Sequence, residues 1–176
     1  MSIDVYISAE SIQLRIREMA EEIDRWLGED EVLCVANLKG SFVFFADLLR
    51  CLKSSRLKVD FIATESYVGT QSSGQVRILK DLQQTCRGEK LLVVEDIVDT
   101  GLTLSKVLEH FAIMHCPSEM KVATLLDKPS RRKVEMKADF VGFTIEDAFV
   151  VGYGLDYNEY YRNLPYIGIL RNTEER

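Results

Sequence analysis

The sequence predicts an α/β fold in which a central parallel sheet is flanked by helices. Two stretches carry this prediction, Val32 to Leu52 and Leu91 to Phe111. Each begins with a short apolar run typical of a strand buried on both faces, continues through a polar loop, and ends with apolar residues spaced three and four apart. A strand, a loop and a helix in that order form the unit from which parallel sheets are built.

The remaining elements follow from the same spacing rules. A helix is predicted from Ser8 to Gly28, with a capping serine at its start and a terminating glycine at its end. Val59 to Thr64 and Lys121 to Leu126 are predicted to be further strands. Short apolar runs between Phe140 and Leu170 predict the strands that close the fold.

Length and composition predict a single globular domain over residues 1–176. Hydrophobic residues make up 47% of the chain and charged residues 28%, which is ordinary for a globular protein. The net charge of -6 argues against nucleic acid or an anionic membrane as the main partner. No stretch is long and apolar enough for a membrane span, and the N-terminus lacks an export pattern, so we expect a cytoplasmic protein.

The cysteines are widely spaced and form no CxxC pair, and the chain has two histidines, His110 and His115. From this spacing we expect reduced thiols, and neither a zinc site nor a disulfide framework. The cysteines are Cys34, Cys51, Cys86 and Cys116.

Two carboxylates stand where the strand Leu91 to Val94 is predicted to end. Glu95 and Asp96 follow this strand, and a turn leads from them into a helix. Ligands bind at the carboxyl ends of parallel strands, and a helix N-terminus presents free N–H groups to an anion, so Thr100 to Thr103 can cradle a phosphate. Carboxylates can accept hydrogen bonds from sugar hydroxyls or hold Mg²⁺. The pattern indicates a site for a sugar phosphate. The alternative is an ordinary polar loop in which an aspartate caps the helix.

Two further loops carry features of a binding site. The loop Leu38-Lys39-Gly40-Ser41 combines a helix N-terminus with a glycine and a cation, so it could bind an anion. A simple turn with a solvated lysine would explain the same residues. The stretch Ser66 to Gly74 is rich in turn formers. A loop of this length is either a lid or a disordered segment.

The stretch VVEDIVDTGLT, residues 93–103, resembles the phosphoribosyl pyrophosphate signature of the type I phosphoribosyltransferases. The LKGS loop, an LLDK segment and the run FVVGYGLDYNEYYRNLPYIG follow the order of that family. Within it, the chain resembles the bacterial hypoxanthine-guanine phosphoribosyltransferases. The resemblance implies the type I phosphoribosyltransferase fold, with a small hood beside the central sheet, and a cis form is frequent in the family at the peptide that here joins Leu38 to Lys39.

The resemblance also implies a function in purine salvage. The enzyme would transfer the 5-phosphoribosyl group from phosphoribosyl pyrophosphate to N9 of hypoxanthine, and of guanine, giving IMP or GMP and pyrophosphate. Mg²⁺ would be the cofactor and the assembly a homodimer or homotetramer. The alternatives are a transferase that prefers xanthine or a pyrimidine, and a phosphoribosyl pyrophosphate sensor that binds nucleic acid, which the acidic charge disfavours.

Individual residues inherit roles from the resemblance, with Asp99 as the catalytic proton acceptor. Ribose and 5′-phosphate would be held by Glu95, Asp96, Asp99, Thr100, Gly101, Leu102 and Thr103. Pyrophosphate would be held by Lys39, Gly40, Ser41 and Arg162, under a lid formed by Ser66 and Tyr67. The purine would be held by Lys128, Phe149, Val150 and Asp156. The metal would be held by Glu95, Asp96 and Asp156.

The lysine in the purine set has a chemical reason for its role. An ammonium offers only donors, so Lys128 would select an oxo group over the amino group of adenine. The next basic residues along the chain, Arg131, Arg132 and Lys133, are predicted to form a solvated turn without a chemical role.

Overall fold

The computed structural model describes residues 2–66 and 76–171. The helices are α1 (Ala9–Leu27), α2 (Phe42–Cys51) and α3 (Leu102–Met114), with a single 3₁₀ turn at Pro129–Arg131. The strands are β1 (Ser2–Ile7), β2 (Val32–Leu38), β3 (Leu57–Ser66), β4 (Val76–Lys80), β5 (Lys90–Val98), β6 (Glu119–Asp127), β7 (Phe140–Thr144), β8 (Val150–Val151) and β9 (Ile167–Arg171). Tyr67, one of the two predicted lid residues, lies outside the described residues.

The central sheet has the strand order β4-β3-β2-β5-β6-β7. All neighbours are parallel except β4, which pairs with β3 in the antiparallel direction. The predicted α/β fold with a mostly parallel sheet is therefore confirmed. The strand β4 was not predicted, because its five residues alternate between exposed and half-buried and contain no continuous apolar run.

The strand β5 is longer than predicted. It continues through Glu95 and Asp96 and ends at Val98, where the sequence pattern placed its end at Val94. The pairing of β5 with β6 also continues past the carboxylates to Val98 and Asp127. Polar side chains ended the apolar run without ending the strand, because the backbone ladder to β6 remains intact.

The two faces of the sheet pack against different helices. Alternate residues of the buried strands point to opposite faces, so that Cys34 and Leu92 join a core with α1 and α2 while Leu33 and Leu91 join a core with α3. On the α3 side, Phe111 is fully buried, and a side chain of this size stabilises the fold by about 1.5–3 kcal/mol relative to an exposed one. This packing fixes α3 against β5, the strand that leads into it.

The helix α1 starts and ends as its sequence predicts. The Ser8 hydroxyl accepts a hydrogen bond from the Ser11 N–H at 3.2 Å, which satisfies one of the free donors of the first turn. Gly28 ends the helix at φ 58°, a conformation that side chains rarely adopt.

A second, antiparallel sheet of order β1-β9-β8 forms the small hood that the resemblance implied. The strand β1 was not predicted, and it pairs with β9 at the other end of the described chain. Tyr153 lies just after β8, and its hydroxyl donates to the carboxylate of Asp47 on α2. The Gln13 side-chain amide on α1 donates to the same carboxylate at 3.0 Å. These bonds hold the hood segment against the helical layer.

All four cysteines are free thiols. Within residues 2–66 and 76–171, no helix has the length and apolar character needed to span a membrane.

Candidate active site

A pocket of about 200 Å³ lies at the carboxyl end of β5, where that strand, the following turn and the first turn of α3 meet. Asn37 near the end of β2 closes one side. The lining residues are Asn37, Glu95, Asp96, Ile97, Val98, Asp99, Thr100, Gly101, Thr103 and Leu104. The pocket therefore brings together most of the residues predicted for ribose and 5′-phosphate.

Glu95 is buried at the base of this pocket, with 6% of its surface exposed. The Asn37 side-chain amide donates to its Oε1 at 3.2 Å, and the Asn37 Oδ1 accepts from the Thr64 hydroxyl at 3.1 Å. Burial and the neighbouring charge of Asp96 raise the pKa of Glu95 well above its usual value, against the lowering effect of the Asn37 hydrogen bond. Asn37 was not predicted from the sequence, although a polar residue at the end of a buried strand is a usable signal.

Asp96 lies directly against the LKGS loop. A side chain in place of Gly40 would overlap the Asp96 carboxylate, so only glycine allows this approach. Burial raises the pKa of Asp96 to about 6; the charge of Asp156 also raises it, while backbone hydrogen bonds and the Arg162 charge lower it. Two adjacent carboxylates with raised pKa values and free oxygen ligands form a donor set that suits a hard divalent cation.

The turn between β5 and α3 is shaped by Gly101. This residue precedes the first residue of α3 at φ 79°, and its carbonyl accepts from the Ser105 N–H at 2.9 Å. A larger residue would be strained at this φ value, and its Cβ would lie 3.0 Å from the Val134 side chain. The start of α3 thus lines the pocket through Thr103 and Leu104, while the Leu102 N–H donates to the Thr100 hydroxyl at 3.4 Å.

The same turn is held from behind by Arg132. Its guanidinium donates to the carbonyl of Val98 at 3.1 Å and to that of Asp99 at 2.6 Å, and it pairs with Asp127 at the end of β6. Only 14% of the side chain is exposed. The predicted solvated basic turn is therefore wrong for Arg132, because backbone carbonyls and a carboxylate meet its donors in place of water.

Arg131 and Lys133 also contact the turn between β5 and α3 (residues 99–101), which we call the phosphate turn after its predicted role. The Arg131 Nε lies 3.0 Å from the Asp99 Oδ1, and its NH1 lies 3.3 Å from Asp147. The Lys133 backbone N–H donates to the Thr100 carbonyl at 2.9 Å. Residues 131–133, after β6, thus contact the turn at several positions. The sequence did not predict these contacts.

The LKGS loop contains the cis peptide between Leu38 and Lys39. The hydroxyl of Ser41 is buried and donates to the Asn37 carbonyl at 2.5 Å, so it fastens the loop to the end of β2. The Lys39 ammonium is exposed and lies 3.0 Å from the Glu159 carboxylate.

Arg162 and Asp156 extend this charged network from the turn that follows the hood strand. The Arg162 guanidinium lies 2.8 Å from the Asp156 Oδ1, donates to the Gly154 carbonyl at 2.8 Å, and lies 3.3 Å from Glu159. Lys39 and Arg162 therefore contact the same oxygen of Glu159. The structure brings the two predicted cations together through a carboxylate that was not predicted from the sequence.

Lys128, Phe149 and Val150 lie on the other side of this edge. The Lys128 ammonium is buried, donates to the Ala148 carbonyl at 2.6 Å and lies 4.0 Å from Asp147. Phe149 is 55% exposed, with Tyr157 packed edge-on at 5.6 Å between ring centroids. Val150 is buried and pairs with Ile169. The Lys128 ammonium thus contacts the residue before Phe149, and an ammonium together with an exposed aromatic ring suits a flat ligand that carries an acceptor.

The predicted lid is represented by Ser66 alone, the last residue of β3. Tyr67 and residues 68–75 lie outside the described part of the chain. The lid role of Ser66 and Tyr67 stays a prediction.

Comparison with known proteins agrees with the architecture of this edge. Residues 5–158 match the family model of the phosphoribosyl transferase domain. The chain is 49% identical over 168 residues to the hypoxanthine-guanine phosphoribosyltransferase of Bacillus subtilis, covering 95% of this chain and 92% of that protein. It is 47% identical over 171 residues to the hypoxanthine phosphoribosyltransferase of Escherichia coli, covering 95% of this chain and 94% of that protein.

A solved structure supports the same relationship. The crystal structure of a hypoxanthine-guanine phosphoribosyltransferase from Bacillus anthracis matches with a TM-score of 0.90 and 46% identity, covering 96% of this chain and 97% of that one. The motif at residues 93–103, the sheet order and these matches agree, and the chain belongs to the phosphoribosyl transferase family.

Proposed function

We propose that this protein is a purine salvage enzyme that transfers the 5-phosphoribosyl group of phosphoribosyl pyrophosphate to N9 of hypoxanthine, and also of guanine. The products are IMP or GMP and pyrophosphate. One observation carries the proposal: a helix N-terminus beside two carboxylates shares a sheet edge with a buried ammonium and an exposed aromatic ring. The names of the relatives from Bacillus subtilis and Escherichia coli support the same activity.

The 5′-phosphate binds at the turn before α3 and at the helix N-terminus, which carries the positive end of the helix dipole. The ribose hydroxyls donate to the neighbouring carboxylates. The residues with these roles are Glu95, Asp96, Asp99, Thr100, Gly101, Leu102 and Thr103. The support of the turn by Arg132 fits this role, because it holds the turn backbone in place before the ligand arrives.

Mg²⁺ fits the carboxylates of this edge. Glu95, Asp96 and Asp156 offer the oxygen ligands that Mg²⁺ prefers. Burial, and to a smaller extent a neighbouring carboxylate, raises the pKa values of Glu95 and Asp96, and a bound cation would favour their ionised forms. The Asp156 oxygens contact Arg162 and the Glu159 N–H, so Asp156 would exchange one of these contacts for the metal. When bound, Mg²⁺ would supply positive charge to the pyrophosphate group.

The leaving pyrophosphate binds Lys39 and Arg162, together with the backbone of Gly40 and Ser41. Both side chains already face one carboxylate oxygen of the exposed Glu159, so they can act on one anionic group. Pyrophosphate competes with Glu159 for the two cations. Donors and cations that are aimed at developing negative charge usually contribute more to catalysis than any other effect, and here they favour departure of the leaving group.

The purine binds between Lys128 and Phe149. Lys128 uses one N–H on the Ala148 carbonyl and has donors left for the exocyclic oxygen of a 6-oxopurine. Phe149 stacks on the base, and the backbone of Val150 meets its edge, with Asp156 close by in the following turn. Adenine is disfavoured, because its amino group would place donors against an ammonium.

Asp99 acts as the general base. The bond between ribose C1 and pyrophosphate breaks, positive charge develops on the sugar, and purine N9 forms the new bond to C1. As N9 attacks, Asp99 takes the proton from N7. Asp99 is the first residue of the phosphate turn, and this position supports the role, because Arg131, which contacts its carboxylate, also contacts Asp147 beside Lys128.

Other features of the molecule stay predictions within this proposal. Residues 1–176 form one domain, and Ser66 and Tyr67 close as a lid that excludes water during transfer. The enzyme works in the cytoplasm as a homodimer or homotetramer.

The experiment is to incubate the purified protein with phosphoribosyl pyrophosphate and Mg²⁺ against hypoxanthine, guanine, xanthine, adenine and uracil in separate reactions. Pyrophosphate release and nucleotide formation are measured together. We expect turnover with hypoxanthine or guanine and little with adenine. Preference for xanthine or uracil would contradict the assigned base, and binding of phosphoribosyl pyrophosphate without turnover on any base would favour a sensor.

A further inference from the structure

A cluster of metal-binding side chains lies outside the candidate active site. Asp81 follows β4, His110 lies on α3, and His115 caps the C-terminal end of α3. One ligand atom from each residue lies within 4.8 Å of the others. The chain's two histidines are thus brought together on one carboxylate.

The cluster is well positioned by its surroundings. The His110 Nε2 lies 2.7 Å from the Asp81 Oδ2, and the His115 Nε2 lies 3.1 Å from the Asp81 Oδ1. The Leu82 N–H donates to the Asp81 Oδ1 at 2.7 Å, which orients the carboxylate. The Phe111 ring packs against both imidazoles, with centroids 6.0 Å and 5.8 Å away.

We propose that Asp81, His110 and His115 bind a divalent transition-metal ion such as Zn²⁺. Two imidazole nitrogens and one carboxylate oxygen are ligands that suit Zn²⁺, Co²⁺ or Ni²⁺, whereas Mg²⁺ prefers oxygen alone. The ligand atoms of a tetrahedral zinc ion lie about 3.4 Å apart. Those of the cluster are separated by 2.7 Å, 3.1 Å and at most 4.8 Å, so side-chain shifts of up to about 1.4 Å would bring them to that spacing.

The cluster is open to an entering ion. The Asp81 side chain is 39% exposed, and those of His110 and His115 are 23% and 14% exposed. The nearby Lys80 ammonium is engaged by Asp60 and by backbone carbonyls, one of which belongs to Asp81. Three protein ligands leave a fourth position for water.

A zinc site was not expected from the sequence, because only the cysteines and the two histidines were considered as ligands. The third ligand comes from Asp81, which is 29 residues from His110 along the chain. A bound ion would connect the segment after β4 to the C-terminal half of α3, about 12–20 Å along the helix axis from its first residue.

The test uses the full-length protein without a polyhistidine tag, in excess Mg²⁺, titrated with ZnCl₂ by calorimetry and with CoCl₂ by visible absorption. We expect one ion per chain, tetrahedral Co²⁺ bands, and a shift of both histidine imidazole signals in NMR spectra. In His110→Gln, His115→Gln and Asp81→Asn, affinity should fall at least tenfold. Glu109→Gln is the matched control, because Glu109 is adjacent to His110 and pairs with Lys106, and it should bind as the wild type does.

Several outcomes would overturn the proposal. Absence of binding to the wild type would mean that the imidazoles only hydrogen-bond Asp81. Binding that survives His110→Gln but is lost in Asp156→Asn would place the ion in the active site. A sulfur-to-cobalt charge-transfer band would identify a thiolate ligand instead. The NMR shifts on the wild type need no variant, so the test does not depend on how the variants fold.

This inference is independent of the proposed transferase activity. The double variant His110→Gln with His115→Gln should keep its Mg²⁺-dependent turnover while it loses the second ion. The activity assay and the metal titration can therefore fail separately.

Discussion

The phosphate side and the purine side of the candidate active site are built in different ways. The phosphate side consists of consecutive residues, 95–103, on one strand, one turn and the start of one helix. The purine side combines the residue that follows β6 with residues near β8. A motif of adjacent residues can be identified from the chain alone, whereas a pocket assembled from separate segments needs either a structure or a family resemblance.

The largest predicted effect lies where the two sides meet. Asp99→Asn should lower kcat with hypoxanthine by about 10²–10⁴-fold, because the amide cannot accept the N7 proton. The KM for phosphoribosyl pyrophosphate should change little, since the phosphate site is mainly backbone. Steady-state kinetics with both substrates varied would measure this.

Asp30→Asn is the control for that experiment, because Asp30 lies on the exposed surface, pairs with Lys90 and does not line the pocket. Equal losses in turnover and in phosphoribosyl pyrophosphate binding by Asp99→Asn would remove the proton-transfer role.

The next effect tests the purine side alone. Lys128→Met should lower kcat/KM for hypoxanthine by about 10–100-fold, since a hydrogen bond from a charged group contributes about 1.5–3 kcal/mol. Binding of phosphoribosyl pyrophosphate should be retained. Lys137→Met, at an exposed lysine, is the matched control. If Lys128→Met affected phosphoribosyl pyrophosphate and hypoxanthine alike, the separation of the two sides would be wrong.

A third variant tests the support of the phosphate turn. Arg132→Met removes donors to two backbone carbonyls and leaves Asp127 without its partner. We expect the KM for phosphoribosyl pyrophosphate to rise about tenfold and the protein to lose about 1–3 kcal/mol of stability, because partly buried acceptors lose their donor. Arg87→Met, at an exposed arginine, should leave both unchanged.

For this variant, activity and denaturant unfolding are measured on the same preparation. A loss of stability with an unchanged KM would show that Arg132 stabilises the fold without positioning the turn.

The same contrast explains what could be predicted from the sequence. The buried strands β2, β5 and β6 and the helices were predictable, because continuous apolar runs and a helical stripe report burial directly. The strands β1 and β4 were missed because they are partly exposed and are defined by their partners. Where a strand is stabilised by hydrogen bonds to the backbone of a neighbouring strand, its own side chains show no hydrophobic pattern from which the strand could be predicted.

In the candidate active site, too, adjacent residues could be predicted and residues that act through distant contacts could not. The carboxylates and the turn of the phosphate side lie together in one pocket, although β5 continues past the expected end at Val94. Asn37, Arg132 and Glu159 were missed, because each acts through a contact with a residue at least 30 positions away. Long-range contacts of this kind leave no periodicity in the chain.

The smallest effect concerns the ionisation of the carboxylates on the phosphate side. Because the pKa of Asp96 in the folded protein is about 6, above its ordinary 3.8, the folded state binds more protons than the unfolded state between these values. Asp96 therefore costs no stability below pH 3.8, its contribution becomes unfavourable as pH rises from 3.8 to about 6, and above 6 the cost is constant at no more than about 3 kcal/mol. Mg²⁺ reverses this cost, because it favours the ionised form.

Thermal unfolding with and without Mg²⁺ from pH 5 to pH 8 checks this prediction. The rise in Tm produced by Mg²⁺ should be small at pH 5 and should grow as pH passes through 6, since the cation binds the ionised carboxylate. In Asp96→Asn the pH dependence should weaken, with the remainder due to Glu95, whose pKa is also raised by burial, while in Lys137→Met it should match the wild type. A Tm shift equal at both ends of the range would show that Mg²⁺ binding does not depend on ionisation of Asp96, and the phosphate side would then owe its metal to Asp156 instead.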